Sequence, residues 1–198
     1  MPTDRRDLHR QLLRLASTQS GHFTASQSTG IGYSYQAQKY HTDRGNWVRV
    51  DRALYRLPEW PVGQHDDLVR WSLWSAGIAV VSHDTALAVH DLGDANPAHV
   101  HLTVPPGFKR RAPGVVLHPG VLPPTDIRQH EGFRITTPVR TLFDVAAGHM
   151  DLDQLATAVG DACRQGSTTP ALLLRRAEEH GDRVALRIER ALRLGGLL

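Results

Sequence analysis

The side chains best suited to chemistry lie between residues 33 and 44, a stretch whose pattern is typical of one helix. Stepping about 100° per residue separates two faces, and Tyr33, Ala37, Tyr40 and His41 are expected to pack inward. The outward face and its margins carry an aromatic ring, amides, hydroxyls and a cation but no acid: Ser34, Tyr35, Gln36, Gln38, Lys39 and Thr42. Amides and hydroxyls read base edges and lysine meets phosphate. The face therefore predicts DNA contact, the alternative being an ordinary solvated helix surface.

A basic hairpin follows this helix directly. Two strand-like runs, residues 47–50 and 54–57, flank a short turn, and they carry Arg49, Arg52 and Arg56. Three cations on a thin element can follow a phosphate backbone or enter a minor groove. The alternative is an exposed hairpin whose arginines keep it in solution.

The elements that position these side chains can be predicted from local signals. Thr24 and Gln27 have the spacing of a capping box, which begins a short helix. Gly30 and Gly32 permit a tight turn into the second helix, and Gly45 suits its C-terminus. A helix, a turn, a second helix and a two-stranded hairpin form a winged helix-turn-helix, which lays one helix against DNA.

Charge supports the same interpretation. The chain has 198 residues, and residues 1–60 hold nine Lys/Arg and five Asp/Glu, whereas residues 61–198 hold fourteen and fifteen. The positive charge is thus confined to the first third, as expected of a domain that binds a polyanion. No apolar run approaches a membrane span, the first ten residues resemble no signal peptide, and there is one cysteine, so we expect a cytoplasmic protein.

The predicted fold class is α+β, with an N-terminal winged helix-turn-helix over residues 1–60 and a mixed α/β domain with a helical C-terminus over residues 61–198. Prolines at 58 and 61 place the boundary. In the second part, alternating residues 100–104 predict a half-buried strand, and Thr137-Pro138 predicts a helix start. Residues from 151 onward are expected to be helical.

Two sets of residues in the second part invite a catalytic or metal interpretation. Ser82, His83 and Asp84 are the three residue types of a hydrolase triad, but as neighbours at a helix start they are expected to cap the helix instead. His99 and His101 share a strand face, and His118 lies on a strand that could be adjacent. Without a cysteine or a well-placed acid, we expect solvent-facing histidines, no metal and no cofactor.

Several blocks in both parts resemble the AbiEi family, the antitoxins of bacterial type IV (AbiE-type) toxin–antitoxin systems. The N-terminal blocks are Thr24-Ala25-Ser26-Gln27, Gly32-Tyr33-Ser34, Trp47-Val48-Arg49-Val50 and Leu54-Tyr55-Arg56. Those of the second part are residues 81–87, His90-Asp91-Leu92, residues 101–105 and, most specific, residues 135–144. Two positions depart from the family pattern, since Ala53 replaces the usual glycine of the hairpin turn and His41 a usually aliphatic residue.

The resemblance implies a winged-helix domain that binds inverted repeats in its own promoter and a second domain that counteracts a cognate nucleotidyltransferase-like toxin. Longer relatives carry a nuclease-like extension, which is not expected here. The toxin could be held, opposed at its product, or modified. The polar residues of the second part considered for this role are Lys109, Arg110, Arg111, Arg140 and Asp144.

Two other functions remain open at this point. The protein could be an atypical kinase that phosphorylates the toxin, although no Walker or protein-kinase motif is present. It could also be a plain winged-helix repressor whose second part binds an effector or another subunit. We expect no catalytic residue and no membrane partner.

Overall fold

The computed structural model describes residues 4–198, and this part of the chain divides into two units. The N-terminal unit comprises the described residues up to Ile78 together with Gln129–Phe133. The C-terminal unit comprises Ala79–Arg128 and Arg134–Leu198. Both units combine helices with a sheet, which confirms the α+β class. The boundary expected at residue 60 stays a prediction; the structural division falls after Ile78 because the helix before it packs on strands of the N-terminal unit.

The N-terminal unit has one small antiparallel sheet among its described residues. Its elements in chain order are α1 (Arg5–Ser17), β1 (His22–Thr24), α2 (Ala25–Ile31), α3 (Tyr35–Asp43), β2 (Val48–Asp51), β3 (Leu54–Arg56) and α4 (Asp66–Trp74). The strand order is β1–β3–β2, with Phe23 opposite Tyr55 and Arg49 opposite the same residue on its other side. Strand β1, only three residues long, was not expected from the sequence.

Side-chain caps and an aromatic core explain these elements. Thr24 accepts a hydrogen bond from the Gln27 amide at 3.1 Å, and the Gln27 side chain accepts one from the Thr24 amide at 2.8 Å, which is the predicted capping box. The core contains Phe23, Tyr33 and Trp47, with ring centroids 4.8 Å apart for Phe23–Trp47 and 5.0 Å apart for Tyr33–Trp47. These rings join β1, the residues before α3 and the residues before β2.

The hairpin turn between β2 and β3 contains an alanine in a conformation that favours glycine. Ala53 has φ +57°, and its carbonyl accepts a hydrogen bond from the Ala25 amide at 2.9 Å, which holds the turn against α2. A left-handed conformation costs about 1–2 kcal/mol for a residue with a side chain. The turn is therefore strained at the position where the family pattern has glycine.

We predict that Ala53→Gly raises the free energy of unfolding of the N-terminal unit by about 0.5–1 kcal/mol. The relief of left-handed strain exceeds the extra backbone entropy that glycine loses on folding. Thermal unfolding followed by tryptophan fluorescence measures the change, because residues 47, 60, 71 and 74 are the tryptophans of this chain and all precede residue 78. Ala53→Val should lower the unfolding midpoint, because a β-branched residue tolerates a left-handed conformation less well than alanine. If Ala53→Gly lowers the midpoint as well, the turn is not strained at this position.

The C-terminal unit contains most of a five-stranded mixed sheet with the order β6–β5–β4–β8–β7 among the described residues. Its strands are β4 (Val80–Val81), β5 (Val100–Val104), β6 (Val115–Pro119), β7 (Ile127–His130) and β8 (Phe133–Thr136). Strand β4 is antiparallel to β5 and parallel to β8, and β5 is parallel to β6. The sequence predicted β5 and the strand that carries His118, which is β6, and it did not predict β7.

Helices complete this unit and supply most of its core. They are α5 (His83–Val89), α6 (Pro138–Ala147), α7 (Leu152–Arg164), α8 (Pro170–Ala177) and α9 (Asp182–Leu194), with 3₁₀ turns at Pro124–Asp126 and Glu178–His180. Thr137 caps α6 and precedes its first-turn proline, as expected, and Thr169 caps α8 in the same way before Pro170. Leu142, Leu155 and Ile188 are fully buried in one apolar cluster. No helix within residues 4–198 is long and apolar enough to cross a membrane.

Candidate functional site

Of the six side chains in and just before α3 that were predicted to contact DNA, four lie on its exposed surface. Ser34, Tyr35, Gln36 and Lys39 are exposed, and 81% of Tyr35 is open to solvent. The Ser34 hydroxyl also accepts a hydrogen bond from the Ala37 amide at 3.2 Å and so begins the helix. An aromatic ring, an amide and a cation therefore share one surface of α3.

Gln38 does not belong to this surface, and the prediction that it faces outward is wrong. It is only 3% exposed, and its side-chain amide donates to Thr29 Oγ1 at 2.9 Å and to the Ala25 carbonyl at 3.3 Å. The inward positions of α3 are Ala37, Gln38 and His41, with half-buried Thr42 beside them. Gln38 thus joins α3 to α2 and does not remain free for a base edge.

Two neighbouring positions correct the expected helix faces further. Tyr40, expected inward, is 55% exposed. The half-buried Thr42 hydroxyl donates to the Gln38 carbonyl at 2.9 Å, so it is committed within the helix. The sequence predicts a helix that begins at Tyr33, whereas α3 begins at Tyr35. Tyr33 is therefore not part of the helix, and the inward face predicted from it differs from the face that is buried.

The outer face of α3 also contains an acid, contrary to expectation. Asp43 is exposed and lies 2.7 Å from Lys39 Nζ. Hydrogen bonding to Asp43, together with its negative charge, raises the pKa of Lys39. Lys39 therefore stays charged, but a neighbouring carboxylate partly offsets its attraction for phosphate.

The three hairpin arginines fall into two groups. Arg49 and Arg52 are exposed, Arg52 at the hairpin turn and Arg49 on β2. Arg56 has a side chain only 15% exposed; it donates to the Trp60 carbonyl at 2.6 Å and lies 3.6 Å from Asp66. Arg56 therefore links β3 to α4, and the expectation that it is available to DNA is wrong.

In the C-terminal unit, Arg140 and Asp144 lie four residues apart on α6 and form an ion pair, with 2.7 Å between Arg140 Nε and Asp144 Oδ1. The pair belongs to a larger network that the sequence did not reveal. Asp126, 1% exposed, lies 3.4 Å from Arg140 Nη1 and 2.8 Å from Arg176 Nη2. Two carboxylates and two guanidiniums thus join α6, α8 and the 3₁₀ turn before β7.

Burial raises the pKa of Asp144 to about 6; the charge and hydrogen bond of Arg140 oppose this rise, and the Asp126 charge adds to it. Asp144 Oδ2 is buried and has no hydrogen-bond partner in the part of the chain that the structure describes. The network leaves Asp144 committed to Arg140, and Arg140 committed to both Asp144 and Asp126.

The C-terminal unit also contains a cluster of three histidines, one at the start of α5 and one each on β5 and β6. The rings of His83 and His118 stack with centroids 3.5 Å apart, and His101 Nδ1 lies 3.1 Å from His118 Nε2. Asp84 Oδ2 is 3.8 Å from His101 Nε2. His101 and His118 are half-buried, so the expectation of solvent-facing strand histidines holds only for the exposed His99.

Ser82 supports this cluster and does not act as a side-chain cap. Its hydroxyl is fully buried, accepts from Thr103 Oγ1 at 2.8 Å and lies 2.9 Å from His83 Nδ1. Burial, followed by the charges of His118, His101 and Arg140, lowers the pKa of His83 to about 3. Among residues 4–198, no three His, Cys, Asp or Glu side chains are arranged to hold a metal ion.

The remaining candidates, Lys109, Arg110 and Arg111, are exposed in the loop that follows β5. Arg111 Nη1 donates to the carbonyls of Phe108 and Arg110 at 3.2 and 3.0 Å. The loop is therefore braced by its own backbone, and it belongs to a different part of the unit from the network of Arg140 and Asp144.

These observations define a two-unit α+β protein with an exposed helix–hairpin surface in one unit and a helix-covered mixed sheet in the other. The chain belongs to the AbiEi antitoxin family, because the family model of the AbiEi antitoxin C-terminal domain matches residues 76–194. The resemblance found in the sequence is thus confirmed, and the protein is an antitoxin of a toxin–antitoxin system. Antitoxins of this family have a toxin as partner.

The fold is similar to that in the crystal structure of the RV2827C protein from Mycobacterium tuberculosis. The TM-score is 0.61 at 16% sequence identity, and the match covers 98% of this chain and 78% of that one. At this identity the likeness concerns the fold alone. No curated protein matches the sequence.

Proposed function

We propose that this antitoxin represses its own operon by binding promoter DNA through the N-terminal unit, and that it neutralises a nucleotidyltransferase-like toxin encoded alongside. The observation that carries the DNA-binding part is the exposed face of α3 next to a hairpin with two exposed arginines, Arg49 and Arg52. The order of elements supports a winged helix-turn-helix, with α3 as recognition helix and the β2–β3 hairpin as wing.

The roles of individual side chains follow from their exposure. Tyr35 and Gln36 are placed to meet bases or sugar, and Ser34 lies at the N-terminus of α3, where exposed amides attract phosphate. Lys39 contributes a charge that Asp43 weakens. Gln38 and Arg56 act indirectly, by fixing α3 on α2 and the hairpin on α4.

We predict that Arg49→Ala and Arg52→Ala each lower the affinity for the upstream operator about 5- to 10-fold. Each should also reduce the slope of log affinity against log salt by about 0.9, the value for one lost phosphate contact. Lys39→Ala should have a smaller effect in the same direction, because its charge is already paired. Gel shifts on the upstream region over a series of salt concentrations measure both quantities.

A matched control is Arg175→Ala, which removes one exposed cation from α8 in the C-terminal unit. It should leave the affinity and the salt slope near those of the parent protein. Parent-like binding by both Arg49→Ala and Arg52→Ala at every salt concentration would show that the hairpin does not contact DNA.

Neutralisation is tested by coexpressing the full chain with the product of the neighbouring gene. Growth should be restored by the antitoxin and lost when it is omitted. Purified toxin, antitoxin and labelled ATP then separate the routes left open by the sequence, since label on the toxin requires phosphotransfer whereas capture alone requires only binding. If expression of the neighbouring gene alone does not inhibit growth, the proposed neutralisation of a toxin encoded alongside is wrong.

A further inference from the structure

Strand β6 forms one edge of the five-stranded sheet in the structure described. It pairs with β5 in parallel from Val100 opposite Val115 to Val104 opposite Pro119. The Val100 amide donates to the Gly114 carbonyl and the Gly120 amide to the Val104 carbonyl, both at 2.9 Å. Because backbone direction alternates along a strand, the even-numbered residues of β6 bond to β5, and the amides and carbonyls of Val115 and Leu117 point away from the sheet.

The connection between β5 and β6 creates a groove beside this edge. Parallel strands are usually joined through a helix, but residues 105–114 return to the start of β6 without one. A groove of about 710 Å³ lies between this loop and β6, and its apolar lining includes Phe108, Val115, Leu117 and Pro119. The last three share one face of the sheet with Val104, their register being fixed by β5.

The rim of the groove is positively charged. Residues 95–125 contain Lys109, Arg110 and Arg111 and no Asp or Glu. Lys109 and Arg111 form no ion pair with any residue from 4 to 198, and both line the groove. A partner with negative side chains would therefore meet Lys109 and Arg111, which have no ion pair in the described chain, next to the outward main-chain groups of β6.

We propose that β6 and the loop of residues 105–111 bind an extended acidic segment of the toxin, which adds to the sheet as a further strand. This inference rests on the proposed neutralisation and commits it to direct contact. Main-chain bonds to Val115 and Leu117 would supply affinity, the groove would take alternate apolar side chains, and the three cations would select acidic ones.

The same charges argue against two other occupants. Pairing two copies of this chain edge to edge would bring the cationic loops of both copies near one another, and such cations are a common protection against self-pairing. DNA would satisfy the cations, but it offers no strand to the outward amides and no apolar side chain to the groove. An acidic polypeptide can pair with the cations, bond to the outward amides and place apolar side chains in the groove.

Amide hydrogen exchange of the full chain with the purified toxin from the same operon tests the proposal. In the free protein the outward amides of Val115 and Leu117 should exchange rapidly, whereas those of Val116 and His118 are already protected by β5. Toxin binding should slow the first pair at least 10-fold. Unchanged exchange in a formed complex would overturn the proposal, as would equal protection by operator DNA alone.

A pair of variants at one position separates the backbone from the side chain. Leu117→Pro removes an outward amide and leaves the bonds to β5, a position at which sheets tolerate proline; Leu117→Ala keeps the amide and shortens the side chain. We expect Leu117→Pro to bind toxin at least 10-fold more weakly than Leu117→Ala. Equal affinities of the two variants would overturn strand addition even if the wild-type exchange changes.

Charge and folding have separate controls. Lys109→Glu should weaken toxin binding at least 3-fold, mainly at low salt, whereas Arg175→Glu should not. All variants should retain the far-ultraviolet circular dichroism spectrum and urea midpoint of the parent, which report that the C-terminal unit holding these residues is folded. If the wild type restores growth but binds no toxin, this inference fails and the antitoxin function stands; if it does not restore growth, the proposed function itself fails.

Discussion

Replacing Asp126 with asparagine is expected to lower the free energy of unfolding of the C-terminal unit by about 3–5 kcal/mol, the usual loss when one partner of a buried ion pair is removed. Asp126 is 1% exposed, and its two oxygens approach Arg140 and Arg176 at 3.4 and 2.8 Å. Asparagine keeps the shape but leaves an excess positive charge between α6 and α8. Because both arginines retain some exposure, the lower end of the range is expected.

Two optical signals locate this effect within the chain. Urea unfolding followed by far-ultraviolet circular dichroism reports on both units, whereas tryptophan fluorescence reports on the N-terminal unit, which holds all four tryptophans. Asp126→Asn should lower the circular dichroism midpoint more than the fluorescence midpoint. Glu189→Gln is the matched control, since it breaks an exposed pair with Arg193 and should change stability by less than about 1 kcal/mol. An Asp126→Asn variant as stable as this control would show that the network contributes nothing.

The same network changes how two sequence candidates for toxin neutralisation are tested. Arg140 is held by ion pairs with both Asp144 and Asp126. Loss of neutralisation in an Arg140 variant would therefore follow from misfolding as readily as from a lost toxin contact. Lys109, which is exposed and has no ion pair in the described chain, gives a cleaner test.

Local signals in the sequence predicted local structure well. The capping box of Thr24 and Gln27 and the threonine–proline pair at 137–138 act over three residues or fewer, and each begins a helix in the structure. The apolar alternation of β5 likewise needs only its own residues. These features depend on backbone groups that lie within one turn or strand, so a single sequence contains all the information they require.

Features that depend on distant partners could not be predicted in the same way. Gln38 is polar, so periodicity gave no reason to bury it; its partners Ala25 and Thr29 lie thirteen and nine positions away. Asp126 meets Arg176 across fifty positions. Strand β1 is too short to show alternation and exists because β3 pairs with it. In each case the chain topology had to be known before the contact could be expected.

The histidine cluster leads to the second large prediction, a pH-dependent stability that His83→Asn should reduce. The pKa of His83 is about 3 in the folded chain, because of burial and then of its histidine neighbours, against 6.5 for an unperturbed side chain. Below pH 6.5 the unfolded chain therefore binds a proton that the folded chain refuses, so stability falls as the pH falls. The loss from this one group reaches about 2 kcal/mol at pH 5 relative to pH 7.5.

Other groups add to or oppose this loss, which is why the variant must be compared with the parent at each pH. Burial also lowers the pKa values of His101 and His118, so they act in the same direction. Asp144, with its pKa raised to about 6 from 3.8, acts oppositely: the folded chain takes up its proton first, and acidification from pH 6 to 4 favours folding. These contributions largely cancel in the difference between variant and parent.

Asparagine is the appropriate replacement because His83 has φ +52°, a conformation that asparagine tolerates better than most residues. Between pH 7.5 and 5, the parent should lose about 2 kcal/mol more stability than His83→Asn, as measured by urea unfolding at each pH. His149→Asn, at an exposed position in the same unit, should show the parent's pH dependence. If His83→Asn follows the parent curve over this range, the folded cluster accepts a proton as easily as the unfolded chain, and the stacked rings are not held neutral by burial.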